Sequence, residues 1–168
     1  MGHAVVLRAL DRDTALQVVE WRRACPEALR TPYEITREQQ EQWYRDVVCD
    51  RRAASRYWAA WAGDDLVGFA GLEGIQWENG LAEISLLVAP GQRGKGFGKL
   101  IVGAVLEQAF NRLRLHQVVG ESYECAAAGW WRKLGTERGW YMTELPARKY
   151  WAGQWWASLY FAIESPVS

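Results

Sequence analysis

Between residues 91 and 99, glycine and basic residues are interleaved: Gly91, Gly94, Gly96 and Gly98 alternate with Arg93, Lys95 and Lys99. Glycine lets a backbone approach a ligand closely and turn its amides inward. Lysine and arginine add charges that suit phosphate. The flanks say how such a turn is held. The apolar run Ile84 to Ala89 predicts a strand, stopped by Pro90, which cannot donate a ladder hydrogen bond. After Gly98, residues Leu100, Ile101, Val105, Leu106 and Phe110 recur at helical spacing on one face. The unit is strand, glycine-rich basic turn, helix. The first amides of such a helix lack intrahelical partners and its dipole is positive there, which predicts an anion site.

Two familiar phosphate turns do not fit. A nucleotide-hydrolysing P-loop requires Ser or Thr after Gly-Lys, and Leu100 follows Gly98-Lys99. The dinucleotide fingerprint requires glycines spaced by two and then three, and Gly94, Gly96 and Gly98 are spaced by two and two. Arg93-Gly94-Lys95-Gly96-Phe97-Gly98, after Val88-x-Pro90, instead resembles the pyrophosphate turn of the GCN5-related N-acetyltransferases. Arg93, Gly96 and Gly98 fill that family's Arg/Gln-x-x-Gly-x-Gly/Ala pattern.

The remaining elements follow in order. The 168 residues suit one domain with a full core. The formal net charge of zero argues against nucleic acid or an anionic membrane as partner. Cys25, Cys49 and Cys125 show no metal spacing and suit a reducing cytoplasm, no metal is expected, and neither a leader nor a spanning run is visible. A first strand is predicted over 4–10 and a helix to about Ala24, capped by Asp13 or Thr14. Thr36 with Gln39 offers a capping box for a second helix through Val47. Strands are predicted over 56–62, 66–74 and 81–89, joined by tight turns at 63–65 and 78–80. A helix then covers about 98–113 and a strand 116–122. A short helix over 126–134 should stop at Gly135. Two final strands, 138–143 and 154–163, would be joined by a loop containing Pro146 and Gly153.

This order resembles the family's fold across nearly the whole chain: a single α/β (α+β) domain of about seven mostly antiparallel strands and about four helices, splayed between strands four and five. The resemblance implies acetyl-CoA as cosubstrate. Leu86, Leu87 and Val88 would contact its pantetheine arm, and Arg93, Gly94, Lys95, Gly96, Phe97, Gly98 and Lys99 its pyrophosphate. An extended amide chain can add to an open strand edge, so the idea is physically sound. An attacking amine must lose a proton, which calls for a carboxylate in the groove. Glu83 and Glu121 are the candidate bases, and a backbone amide near Val88 would hold the developing oxyanion.

The chain departs from the family at the general acid. Trp131 lies in the Trp131-Arg132-Lys133-Leu134-Gly135-Thr136 stretch, where the family carries a tyrosine, and no Asn follows residue 111. Tyr123 is the nearest phenol and Cys125 another acid. Glu20-Trp21-Arg22 with Arg30 downstream resembles the subgroup acting on ribosomal proteins or amino-sugar nucleotides. In that subgroup the first two helices form one wall of the acceptor groove, and the expected acceptor is a small-molecule or peptide amine, an amino sugar or a protein amino terminus. Trp21, Trp58 and Trp77 are candidates to stack on a sugar or base, and Arg22 and Arg30 to bind a phosphate or carboxylate. The departures also admit a catalytically degenerate CoA-binding sensor or scaffold. Eleven tryptophans are unusual for this length. In the last strand, alternation puts Trp155, Ala157, Leu159, Phe161 and Ile163 on the core face. Trp156 and Tyr160 fall on the other face, where a homodimer is expected.

Overall fold

A computed structural model describes residues 4–31 and 33–166. Seven strands form one sheet in the order β1-β2-β3-β4-β5-β7-β6. They are β1 (Val6–Ala9), β2 (Arg56–Ala62), β3 (Asp65–Gln76), β4 (Leu81–Val88), β5 (Gln117–Tyr123), β6 (Tyr141–Trp151) and β7 (Gln154–Glu164). All neighbours are antiparallel except β4 and β5. That exception follows from the helix between them, because a crossover must return the chain to the same end of the sheet.

Helices α1 (Arg12–Arg23) and α2 (Arg37–Trp43, continued by a wide turn over Tyr44–Val48) cover one face of the first strands. Their apolar sides meet Ala59 and Phe69 there. Buried Gln40 ties the two helices by donating from Nε2 to the Ala15 carbonyl at 2.9 Å. Asp11 rather than Asp13 or Thr14 caps α1. Its extended backbone lets the carboxylate accept from the Thr14 amide at 2.8 Å. The capping box at Thr36 and Gln39 forms as expected.

Helices α3 (Phe97–Glu107, continued to Arg112) and α4 (Ala128–Arg138) cover the other face, over the main core. Phe161 of β7 is fully buried there and stacks on Trp131 (ring centres 4.6 Å apart) and Trp140 (5.8 Å). Such pairs add about 0.5–1.5 kcal/mol each beyond the area they bury.

Two predicted bounds and one predicted face differ. α4 does not stop at Gly135 but runs to Arg138, because Gly139 takes the left-handed backbone (φ +70°) that ends it, and Gly135 packs against Met142. β6 covers 141–151 rather than 138–143, since the Pro146 region is absorbed as a bulge within the strand and Gly153 sits in a tight hairpin turn. The core face of β7 holds for Leu159, Phe161 and Ile163, but Trp155 is exposed. It lies past the edge of the core, against Tyr150.

Candidate active site

β4 and β5 pair over only three positions, from Leu81↔Gln117 to Glu83↔Val119, although both strands continue beyond them. This is the splay. The Ala89 amide donates to the Val67 carbonyl at 2.9 Å, so alternate residues of β4 bond to β3. Leu86 and Val88 then direct their amides and carbonyls into the gap, and Arg93 Nε approaches the Val88 carbonyl from that side at 3.4 Å.

A cavity of about 590 Å³ opens from the gap toward the glycine turn. One wall is main chain: Leu86, Leu87 and Val88, then Arg93 to Gly98 except Lys95. Gly94 and Gly96 both have positive φ (+75° and +85°), and the space where a Cβ would stand is open. Side chains there would be strained whatever the open space around them. Gly96 is the N-cap of α3 and offers no side-chain cap, and Phe97, Gly98 and Lys99 line the cavity, so the first turn and its positive dipole end face it. A pyrophosphate and an extended pantetheine arm fit this wall on charge, shape and hydrogen-bonding chemistry. Lys95 lies outside the lining and donates to Gln92 at 3.1 Å, and Lys99 lines the cavity but pairs with Glu137 at 2.7 Å.

The opposite wall carries Trp130, which the sequence did not single out, together with Cys25 and the candidate acid Cys125. Trp130 lies over Gly98, where an added Cβ would come within 2.8 Å of its ring. Cys25 and Cys125 line the same cavity, and burial pushes both thiols up from their ordinary pKa. Cys125 Sγ donates to the Glu27 carbonyl at 3.7 Å.

A second cavity of about 260 Å³ meets the first at Ala28, Leu86, Ala127 and Trp131. Its polar lining includes Glu73, Glu83, Glu121, Arg22, Arg30 and Tyr123. Glu83 stands at the last paired position before the splay and forms an ion pair with Arg30. Arg148 donates to Glu121 at 2.8 Å and Ser158 Oγ at 2.6 Å, and the Arg148 hydrogen bond holds that carboxyl below its usual range. Glu73 accepts from Tyr57 Oη at 3.0 Å. Burial raises the Tyr123 hydroxyl, against the pull of Arg30.

The structure therefore gathers Glu83, Glu121, Tyr123, Arg22 and Arg30 in one place, beside the join. Trp21 and Trp77 do not line either cavity. Trp21 packs with the cluster around Leu10 and Phe69, and Trp77 is exposed with the Arg56 guanidinium 5.5 Å from its ring centre. Trp131, with no acidic hydrogen to give, occupies the join itself. Among the described residues no cluster of three or more His, Cys, Asp or Glu is arranged to hold a metal, and no helix is long and apolar enough to cross a membrane.

The model of the acetyltransferase (GNAT) family matches residues 15–136, which run from within α1 to within α4 and include every residue lining the first cavity. The chain belongs to that family. Similar chains narrow the company it keeps. The spermidine N(1)-acetyltransferase of Vibrio cholerae serotype O1 is 30% identical over 87 residues, 52% of this chain. That match spans about half, 49%, of the relative's length. A crystal structure of the V. cholerae spermidine N-acetyltransferase with CoA and spermine superposes with a TM-score of 0.85 at 22% identity, covering 95% of each chain. A dodecameric form of that enzyme in an intermediate state gives a TM-score of 0.80 at 23% identity, over 95% of this chain and 93% of that one. These relatives are spermidine acetyltransferases, not members of the ribosomal-protein or amino-sugar-nucleotide subgroup suggested by Glu20-Trp21-Arg22. That short motif is carried on α1, where Trp21 serves the core.

Proposed function

We propose that the protein is an N-acetyltransferase that binds acetyl-CoA along β4 and the glycine turn and acetylates a small primary amine of the polyamine class. The observation that carries this reading is the join of the two cavities at the splay, with the main-chain wall on one side and three glutamates on the other. Acetyl-CoA supplies the acetyl group as an activated thioester. The Leu86 to Val88 edge pairs with its extended arm, and the turn from Arg93 to Lys99 holds its phosphates. The Val88 amide faces the gap and is the donor placed for a carbonyl oxygen there.

On the acceptor side, Glu83 takes the proton from the entering ammonium. It sits at the mouth of the splay, and its side chain is 30% exposed against 12% for Glu121. Glu121 is held by two donors and kept ionised, which makes it a weak base but a lasting countercharge for a cationic substrate. Glu73 extends that negative surface. A polycation enters by displacing Arg30 from Glu83, an exchange of one cation for another. The relatives' names support the polyamine class over an amino sugar or a protein amino terminus. Tyr123 and Cys125 are the acids available to the departing thiolate, one in each cavity. The dodecameric relative supports self-association, and sedimentation of the native protein at tens of micromolar tests it; a monomer there rules out the homodimer.

The deciding assay follows CoA release with a thiol reagent. Spermidine and spermine should turn over, with glucosamine and short peptides slower. Release with amino sugars or peptides alone would move the acceptor class and leave the donor half intact. CoA binding without release for any amine would mark a degenerate sensor, the reading favoured by Trp131 at the join.

A further inference from the structure

A regular strand sends neighbouring side chains to opposite faces, and β6 breaks that rule at one place. Leu145 pairs with Ser158 and Lys149 with Trp156, so the intervening stretch of β6 is longer than its partner stretch of β7. The surplus is taken up over Pro146–Arg148, by a proline without an amide proton and by Ala147 in the left-handed region (φ +51°). Arg148 and Lys149 are adjacent in sequence, yet both reach the acceptor face. Arg148 holds Glu121. Lys149 Nζ donates to the Leu29 carbonyl and stands 5.1 Å from the centre of the Tyr123 ring and 5.6 Å from that of Trp151.

Lys149 is only 5% exposed. An ammonium in such a place must recover its lost hydration, and an apolar side chain of the same length would face no such demand. Here it has one carbonyl and two ring faces. The carbonyl belongs to the stretch between α1 and α2, where Pro26–Ala28 makes a single short turn. That stretch carries Ala28 at the join and Arg30 on Glu83.

We propose that Lys149 is a positioning residue. It pins the Leu29 carbonyl to the sheet and so holds Arg30 and that wall of the second cavity in register with Glu83 and Tyr123. Arg148 fixes the Glu121 side from the next position, and one bulge sets both sides of the site. The kinetic consequence rests on reading this cavity as the acceptor site; the pin itself does not.

Lys149→Met keeps the stem and removes the ammonium, and Lys149→Arg returns a cation. Deuterium exchange on the substrate-free protein reads the pin directly. The Ala28 and Leu29 amides, which donate to the Cys25 and Pro26 carbonyls, should exchange about tenfold faster or more in K149M, the size of one charge-assisted hydrogen bond. Amides of α3 and β4 should keep their rates, and K149R should restore most of the protection. In turnover, KM for the amine should rise about tenfold while kcat and CoA affinity stay within about twofold. Unchanged exchange at 28 and 29 overturns the proposal. So does a loss spread over the whole protein, or shared equally by CoA affinity and the amine KM, since that marks a packing role. If K149M does not fold, Trp151→Leu removes one ring face instead; exchange about threefold faster at the same amides supports the pin, and no change overturns it.

Discussion

The two cavities that meet at the splay are built from different materials. The wall proposed for acetyl-CoA is backbone: strand carbonyls and amides, glycines with positive φ, and a helix start. The wall proposed for the acceptor is side chain: Glu83 on Arg30, Glu121 on Arg148 and Ser158, Glu73 on Tyr57. A main-chain wall can be spoiled by adding atoms and barely weakened by removing charge. A side-chain wall can be retuned by replacing single residues.

The sharpest way to break the contrast is Gly98→Glu. The new side chain must displace Trp130 and bring a carboxylate to the phosphate site, while an acidic residue in the first helical turn leaves α3 intact. Calorimetry should show CoA affinity lower by about a hundredfold or more, roughly the cost of a like charge at close range in a partly buried site; undiminished affinity would falsify the assignment of the turn. On the acceptor side, Glu83→Gln should cut kcat by about a hundredfold, in the range of one general base, with CoA affinity retained. Equal kcat in the variant would move the proton elsewhere.

Smaller effects sharpen the same contrast. Glu121 has a lowered pKa in the folded protein, so its contribution to stability is complete above the ordinary glutamate value and is lost as pH falls through the folded value. Glu121→Gln should therefore flatten the acid limb of the melting temperature against pH and leave the neutral plateau lower by the lost pair. Thermal melts from pH 3 to 7 check the sign. The least effect is expected at Lys99→Ala, no more than about threefold in CoA affinity, because its partly exposed ammonium already serves Glu137. A tenfold loss would show that the donor wall depends on side-chain charge after all.

The same division decides what was legible in the sequence. The shape of the glycine turn could be read because glycines, a strand stop and a helix start are local, and each has a backbone reason to be where it is. Glu83 and Glu121 could be named as carboxylates at strand ends, but not their partners: Arg30 is 53 residues from Glu83 and Arg148 is 27 from Glu121. Trp130 was missed because only the approach of α4 to Gly98 gives it a role. Trp77 was overread, since a tryptophan near a turn carries no sign of which way it faces. In β6 a proline within the segment suggested a loop, and the local signal for a loop is the same as that for a bulge. Lys149 left one trace, a basic pair just after that proline, which makes sense only once the bulge has put both residues on one face.

The order of the strands has a consequence for how the molecule is made. β7 lies between β5 and β6, although it is synthesised after both. Until about residue 164 has left the ribosome, β5 has no neighbour on its outer edge, Trp131 has no Phe161 to stack on, and α4 lacks its contacts with β7. The hairpins from β2 to β4 and the glycine turn after them can settle early, from contacts close in sequence, while β1 reaches β2 across the two intervening helices. The join between the cavities closes last, so a nascent chain halted at the β6–β7 hairpin carries a finished glycine turn beside an unformed join.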